Sequence, residues 1–142
     1  NKLNLKIKPI KNKGKYIILS EPTFDAIDYY QLNNWTKKTT NLIKKYTDRK
    51  IILHNRTSKK KLNELLMDAW AFVSDHSSAG FLAMQNGVPA YFTNRTLENI
   101  GKIENIEKHD INYSVFNNLA YEQWTVEEIK SGECWDHLLK NK

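Results

Sequence analysis

Asp75-His76-Ser77-Ser78-Ala79-Gly80 places a carboxylate, an imidazole and two hydroxyls directly before two small residues. An imidazole titrates near neutrality, so it can act as a base or donate to a phosphate. Two serines at the opening of a helix would add hydroxyls to backbone N–H groups that have no partner inside the helix. The helix dipole favours an anion there. A phosphate is the guest that such a turn suits. Plainer roles compete at each position: Ser77 or Ser78 as a helix cap, Asp75 as an Asx-type turn, and His76 as a local hydrogen-bonding residue. His76 and Glu21 are the candidate catalytic residues. Arg56, Ser77, Ser78, Ala79, Gly80, Asn94 and Arg95 are the candidate ligand-binding residues. Glu21 is followed by Pro22 and reads equally as a strand terminator, and Arg56 as either a phosphate contact or half of a surface ion pair.

These residues need elements to hold them. Tyr16-Ile-Ile-Leu-Ser20, Lys50-Ile-Ile-Leu-His54, Ala71 to Ser74 and Ala90 to Thr93 are short apolar runs that predict buried strands. Between them, Leu32 to Tyr46 carries Trp35, Leu42, Ile43 and Tyr46 at helical spacing, and Lys60 to Asp68 carries Leu62, Leu65 and Leu66. Ser78 to Asn86 is a third expected helix. Alternating short strands and helices predict an α/β fold, a Rossmann-like parallel sheet flanked by helices. All strand-to-helix loops of such a sheet share one edge. Glu21-Pro22-Thr23, Asn55-Arg56-Thr57, Asp75 to Ser78 and Asn94-Arg95-Thr96 are therefore expected around one crevice. Beyond Thr93, residues 99–112 predict a loop with a short helix. Val115 to Trp124 and Thr125 to Leu139 predict a helical tail, with Thr125 and Glu128 as a capping box and Ser131-Gly132 as a break.

With 142 residues the chain suits one domain with a real core, expected over 16–142, preceded by a basic lead or linker over 1–15. A start at Asn1, without methionine and with a Lys/Asn-rich lead, is what a piece of a longer protein looks like. The formal net charge is +6 but polarised, with ten basic residues against Asp48 in 37–61, and six against twelve acidic residues in 62–142. Lysine runs of this kind usually form solvated helix faces. They allow weak attraction to polyanions, so an accessory nucleic-acid binder is the weakest of three readings. No apolar run approaches the roughly 18 residues of a membrane span. Cys134 is the single cysteine, which makes the cytoplasm the default compartment and a packing role its expected use. His54, His109 and His137 lack metal-ligand spacing, and no P-loop or Gly-x-Gly-x-x-Gly fingerprint occurs, so no metal, ATP or NAD is expected. Trp35, Trp70, Trp124 and Trp135 fall on apolar faces and are expected in the core.

Asp68-Ala-Trp-Ala-Phe-Val-Ser-Asp-His-Ser-Ser-Ala-Gly80, followed by Asn86-Gly-Val-Pro-Ala-Tyr-Phe92, resembles the donor-nucleotide half of GT-B glycosyltransferases and related sugar-nucleotide epimerases. Closer still is the likeness to uncharacterised glycosyltransferase-like proteins of bacteria and phages. It is carried by Thr47-Asp-Arg-Lys-Ile-Ile52, Lys102-Ile-Glu104 and, above all, Leu119-Ala-Tyr-Glu-Gln-Trp-Thr-Val-Glu-Glu-Ile-Lys-Ser-Gly-Glu-Cys-Trp135. The likeness covers nearly the whole chain. It implies a sugar nucleotide as substrate, a hexosyltransferase-class activity if active, and the pyrophosphate at the turn His76 to Gly80. Gly87 and Pro89 match the family's tight turn into the next strand. It also implies Arg56 as the group that neutralises the diphosphate, with Glu21, Asn94 or Arg95 lining the crevice.

Two departures from the family pattern matter. Relatives carry an acidic residue for the ribose hydroxyls on the helix after the Ser-Ser turn, where this chain has Phe81-Leu82-Ala83. A GT-B enzyme also needs two such domains, so an N-terminal domain or second chain is the implied partner. A non-catalytic binding or assembly module that kept the fold is the alternative.

Overall fold

The protein is described by a computed structural model that covers residues 6–116 and 126–140. Its elements follow in the order β1 (Tyr16–Ser20), α1 (Phe24–Tyr29), α2 (Trp35–Ile43), β2 (Lys50–His54), α3 (Leu62–Leu66), β3 (Ala69–Ser74), α4 (Ala79–Gln85) and β4 (Ala90–Phe92). Two 3-10 turns, Glu98–Ile100 and Ile103–Asn105, come next. Two helices, α5 (Val126–Ser131) and α6 (Glu133–Lys140), close the described chain. The α/β body runs up to Asn112, and the described residues from Tyr113 onward belong to a second compact unit. In that unit Gly132, at φ +84°, separates α5 from α6 as the Ser131-Gly132 pair foretold. The expected helix over Val115–Trp124 and the Thr125 cap fall mostly or wholly outside the described residues.

The four strands are all parallel, in the order β2-β1-β3-β4. This is the expected α/β, Rossmann-like sheet. Alternation along β1 and β3 sends Ile17, Leu19, Ala71 and Val73 to one face, where they pack with Tyr91 and with Trp35 and Ile43 of α2, Ile103 and Ile106. Ile18 and Phe72 are fully buried at the intervening positions. The chain runs from β1 out to β2, then returns past β1 to β3 and on to β4. Connections therefore leave β1 and β3 in opposite directions, and a crevice opens at the carboxyl ends of those two strands.

Two glycines explain how α4 is seated. Gly87 has φ +77°, Val88 N–H donates to the Ala83 carbonyl at 2.9 Å and Gly87 N–H to the Met84 carbonyl at 3.0 Å. This is a Schellman stop, and Pro89 then leads into β4. Gly80 lies against the Phe92 ring, which a Cβ there would enter. Gly80 and Gly87 thus each have a local structural reason, close packing at the first and a left-handed turn at the second.

At the other edge of the sheet, Arg49 grips Glu107 with two bonds, Nε to Oε1 at 2.9 Å and Nη2 to Oε2 at 3.1 Å. Its Nη1 donates to the Gly14 carbonyl at 2.7 Å, and the guanidinium lies 3.7 Å from the centre of the Trp70 ring. Trp70 in turn meets the His109 ring at 3.9 Å. Burial pushes the Glu107 carboxyl upward, but the bonds from Arg49 and Thr47 and the charge of Arg49 outweigh it and hold the group below its ordinary value. Burial also holds the His109 imidazole below its ordinary value, and its Nε2 has no hydrogen-bond partner. Residues 8–15, expected as a basic lead, hydrogen-bond along the body: Lys8 N–H to Gln85, Lys11 N–H to Gly87 and Lys15 N–H to Asp68.

Candidate functional site

Three of the four strand-ending loops meet around a cavity of about 480 Å³. Its wall is made by Ser20–Thr23 after β1, His54–Arg56 after β2 and Ser74–Ala79 after β3, with Ala26 and Leu62 completing it. The cavity therefore spans the point where the strand order reverses. That is where open α/β sheets hold ligands.

Each loop is shaped by its own side chains. After β1, Thr23 caps α1 by accepting from Ala26 N–H at 3.3 Å. After β2, Asn55 forms an Asx turn, its Oδ1 accepting from Thr57 N–H at 3.0 Å, while Ser58 Oγ accepts from Asn55 N–H at 2.9 Å. Asn55 Nδ2 then reaches across to Glu21 Oε2 at 3.0 Å, and Thr36 of α2 donates to Glu21 Oε1 at 3.2 Å. Glu21 is thereby held in place between two elements. Arg56, next along the turn, is exposed at the rim and has no hydrogen bond or ion pair with the described residues.

The turn after β3 holds the densest chemistry. Asp75 is 6% exposed, and its Oδ2 lies 2.7 Å from His76 Nδ1. Its other oxygen accepts from Thr93 Oγ1 at 2.7 Å, and Thr93 accepts from Trp35 Nε1 at 2.8 Å. The His76 ring packs at 4.5 Å on Tyr30. Ser77 is the residue that caps α4, its Oγ accepting from Ala79 N–H at 3.2 Å, while Ser77 N–H donates to Ser74 Oγ at 3.3 Å. Ser78 begins the helix with helical backbone angles, is exposed, and its hydroxyl has no partner among the described residues. Ser77 thus both caps the helix and lines the cavity, whereas Ser78 lines the cavity without capping.

Of the candidate residues, Glu21, Arg56, His76, Ser77, Ser78 and Ala79 line this one cavity. Gly80, Asn94 and Arg95 do not. Gly80 faces Phe92, Asn94 closes its own turn by accepting from Thr96 N–H at 3.0 Å, and Arg95 is exposed. In the stretch after Ser78, Phe81 packs on Phe92 at 5.4 Å, Leu82 is exposed and Ala83 is buried, so no carboxylate is offered there. Two contributors were not foreseen. Trp35 and Thr93 carried no sequence signal beyond apolar periodicity and a strand end, yet they support the Asp75–His76 pair.

The lining carries two carboxylates, Glu21 and Asp75, against the Arg56 guanidinium and the imidazoles of His54 and His76. This is a mixed surface rather than a basic basin. It suits a ligand that brings hydroxyls as well as negative charge. Among the described residues, no group of three or more His, Cys, Asp or Glu is placed to hold a metal ion, and no helix is long and apolar enough to cross a membrane. Compared with family models, curated proteins and solved structures, the chain matches none.

Proposed function

We propose that the chain is a binding domain for a nucleotide-sugar-type diphosphate, built like the donor half of a GT-B glycosyltransferase. The observation that carries this reading is the cavity of about 480 Å³ across the strand-order reversal, large enough for a diphosphate with an attached sugar or ribose. Arg56 and the Ser78 hydroxyl, both without partners among the described residues, are the donors for the diphosphate oxygens. The Ser77 hydroxyl keeps its proton to give. The start of α4 adds little, because the helix has seven residues and its Ala79 N–H is already taken by Ser77. Glu21, an acceptor only, fits ligand hydroxyls in place of the carboxylate missing after Ser78. Glu21 and His76 are the titratable groups next to the bond that would react. Transfer itself requires a partner domain or second chain to bring the acceptor. Holding the donor and stabilising the departing diphosphate would be the contribution of this domain.

Thermal-shift and calorimetric titration with uridine, cytidine, guanosine and thymidine diphosphates and their sugars tests the reading. Saturable binding is expected. Arg56→Ala and Ser78→Ala should each weaken it by roughly ten- to hundredfold, the range of a lost hydrogen bond to a charged group. Both side chains are exposed and without partners among the described residues, so the melting temperature without ligand should hardly move. No binding by any of these compounds up to millimolar concentration would sink the proposal.

A second reading, an assembly module that kept the fold, draws on α1. No residue of this helix is buried, and Phe24 and Tyr29 are 84% and 80% exposed. Phe24→Ser changing the size of the particle in solution, with no nucleotide binding, would favour it.

A further inference from the structure

The hydrogen bonds behind His76 have a direction that chemistry dictates. The Trp35 indole N–H can only donate, and it donates to Thr93 Oγ1 at 2.8 Å. Thr93 therefore accepts there and gives its single hydroxyl proton to Asp75 Oδ1, 2.7 Å away. The Asp75 carboxylate has nothing to donate in turn. Its Oδ2, 2.7 Å from His76 Nδ1, must accept, so Nδ1 carries the proton. In a neutral imidazole the lone pair then resides on Nε2. His76 belongs to the cavity wall, and the Tyr30 ring packed against it at 4.5 Å limits its rotation.

We infer that Trp35, Thr93 and Asp75 form a positioning chain that fixes the neutral tautomer of His76, so that the cavity meets its ligand here with an acceptor nitrogen and takes a hydroxyl, of a sugar or a ribose, rather than a phosphate oxygen. The inference deepens the proposed function and rests on its reading of the cavity as a ligand site. It divides the wall into a hydroxyl side, His76 and Glu21, and an anion side, Arg56 and Ser78. Asp75 and Thr93 touch no ligand in this arrangement; they act through His76.

The tautomer can be read without any ligand, by long-range proton–nitrogen correlation spectra of uniformly 15N-labelled protein at alkaline pH. In the wild type the His76 Nδ1 signal should be of the protonated, pyrrole type and Nε2 of the unprotonated type. Asp75→Asn should invert the pattern. Thr93 still needs an acceptor and will claim the new amide oxygen, which turns the NH2 group toward His76 and forces Nδ1 to accept. Adding Thr93→Val to Asp75→Asn removes that demand, lets the amide turn over and should restore the wild-type pattern in part. A loss of fold would not produce this inversion and partial restoration. Mixed tautomers in the wild type overturn the inference, and they do so even if every variant fails to fold.

Two probes then separate the inference from the reading beneath it. UDP-glucose should shift the Nε2 signal, whereas inorganic pyrophosphate should shift the Arg56 side-chain signals and leave Nε2 in place. A pyrophosphate-induced shift of Nε2 overturns the division of the wall. Absence of binding by both probes, with the tautomer as stated, overturns the nucleotide-sugar reading and leaves the positioning chain standing.

Discussion

Gly80 of α4 lies so close to the Phe92 ring of β4 that a single added methyl group would enter the ring edge. Helix α4 can press onto the strand it leads into only because this position has no side chain. Exposed glycine-to-alanine changes inside helices normally gain about 1 kcal/mol. Here the sign should reverse. Gly80→Ala should cost about 1–3 kcal/mol, the usual range for overpacking, and lower the melting temperature by several degrees. Phe92→Leu in the same chain should return part of the loss. A more stable Gly80→Ala protein would show that α4 is not seated as described.

Arg49 and Glu107 are joined by two parallel bonds that a lysine cannot reproduce. Arg49→Lys also loses the bond to the Gly14 carbonyl and the stack on Trp70. The side chains are 29% and 40% exposed, so solvent screening keeps their direct coupling small, about 1 kcal/mol in a double-mutant cycle with Glu107→Gln. The total cost of Arg49→Lys should exceed that coupling, because the other contacts go with it. Urea unfolding of the four proteins measures both quantities. A coupling of zero would mean that the pair only decorates the surface.

Acid should weaken the fold in two stages. Burial holds His109 below its ordinary value of 6.5, so the unfolded chain takes up this proton first. Stability is then full above that pH and falls as the pH drops from there through the folded-state value. Glu107, held below its ordinary value of 4.5, contributes its part above that pH and loses it on further acidification. Denaturant midpoints followed from pH 8 to pH 3, as an order-of-magnitude range that brackets both groups, should show both legs. His109→Asn should flatten chiefly the upper leg, and Glu107→Gln chiefly the lower, each with a smaller effect on the other because the two charges interact. An unchanged upper leg in His109→Asn would assign it to another group.

Local pattern made the strands and most helices legible. Tyr16–Ser20 and Lys50–His54 are strands over the same residues that their apolar runs indicated, and the break at Gly132 lies where the glycine put it. Helix α1 escaped because it buries nothing, so Phe24–Tyr29 carries no apolar stripe to recognise. The site was legible to the extent that parallel strands share one loop edge. Asn94 and Arg95 were placed on that edge by the same logic, but β4 stands one strand beyond the reversal, and their turn lies outside the cavity. Asp75 shows the opposite limit. Its neighbour His76 is adjacent in sequence, but Thr93 and Trp35 reach it only once β3, β4 and α2 are assembled. No periodicity encodes a bond of that kind.

The central strands that lead to the cavity and the rim around it should open on different terms. Ile17, Ile18 and Leu19, and Phe72 and Val73 beside them, have no exposure at all in the two central strands. Their amides should exchange with solvent only when the whole domain unfolds. The rim is made of α1 and the short turn from Asn55 to Ser58, held mainly by their own side chains, and such segments open first. A ligand would therefore find its base already rigid and would lose entropy chiefly in stilling Arg56 and its turn. Differences in affinity among related compounds should then appear in how long they stay rather than in how fast they arrive.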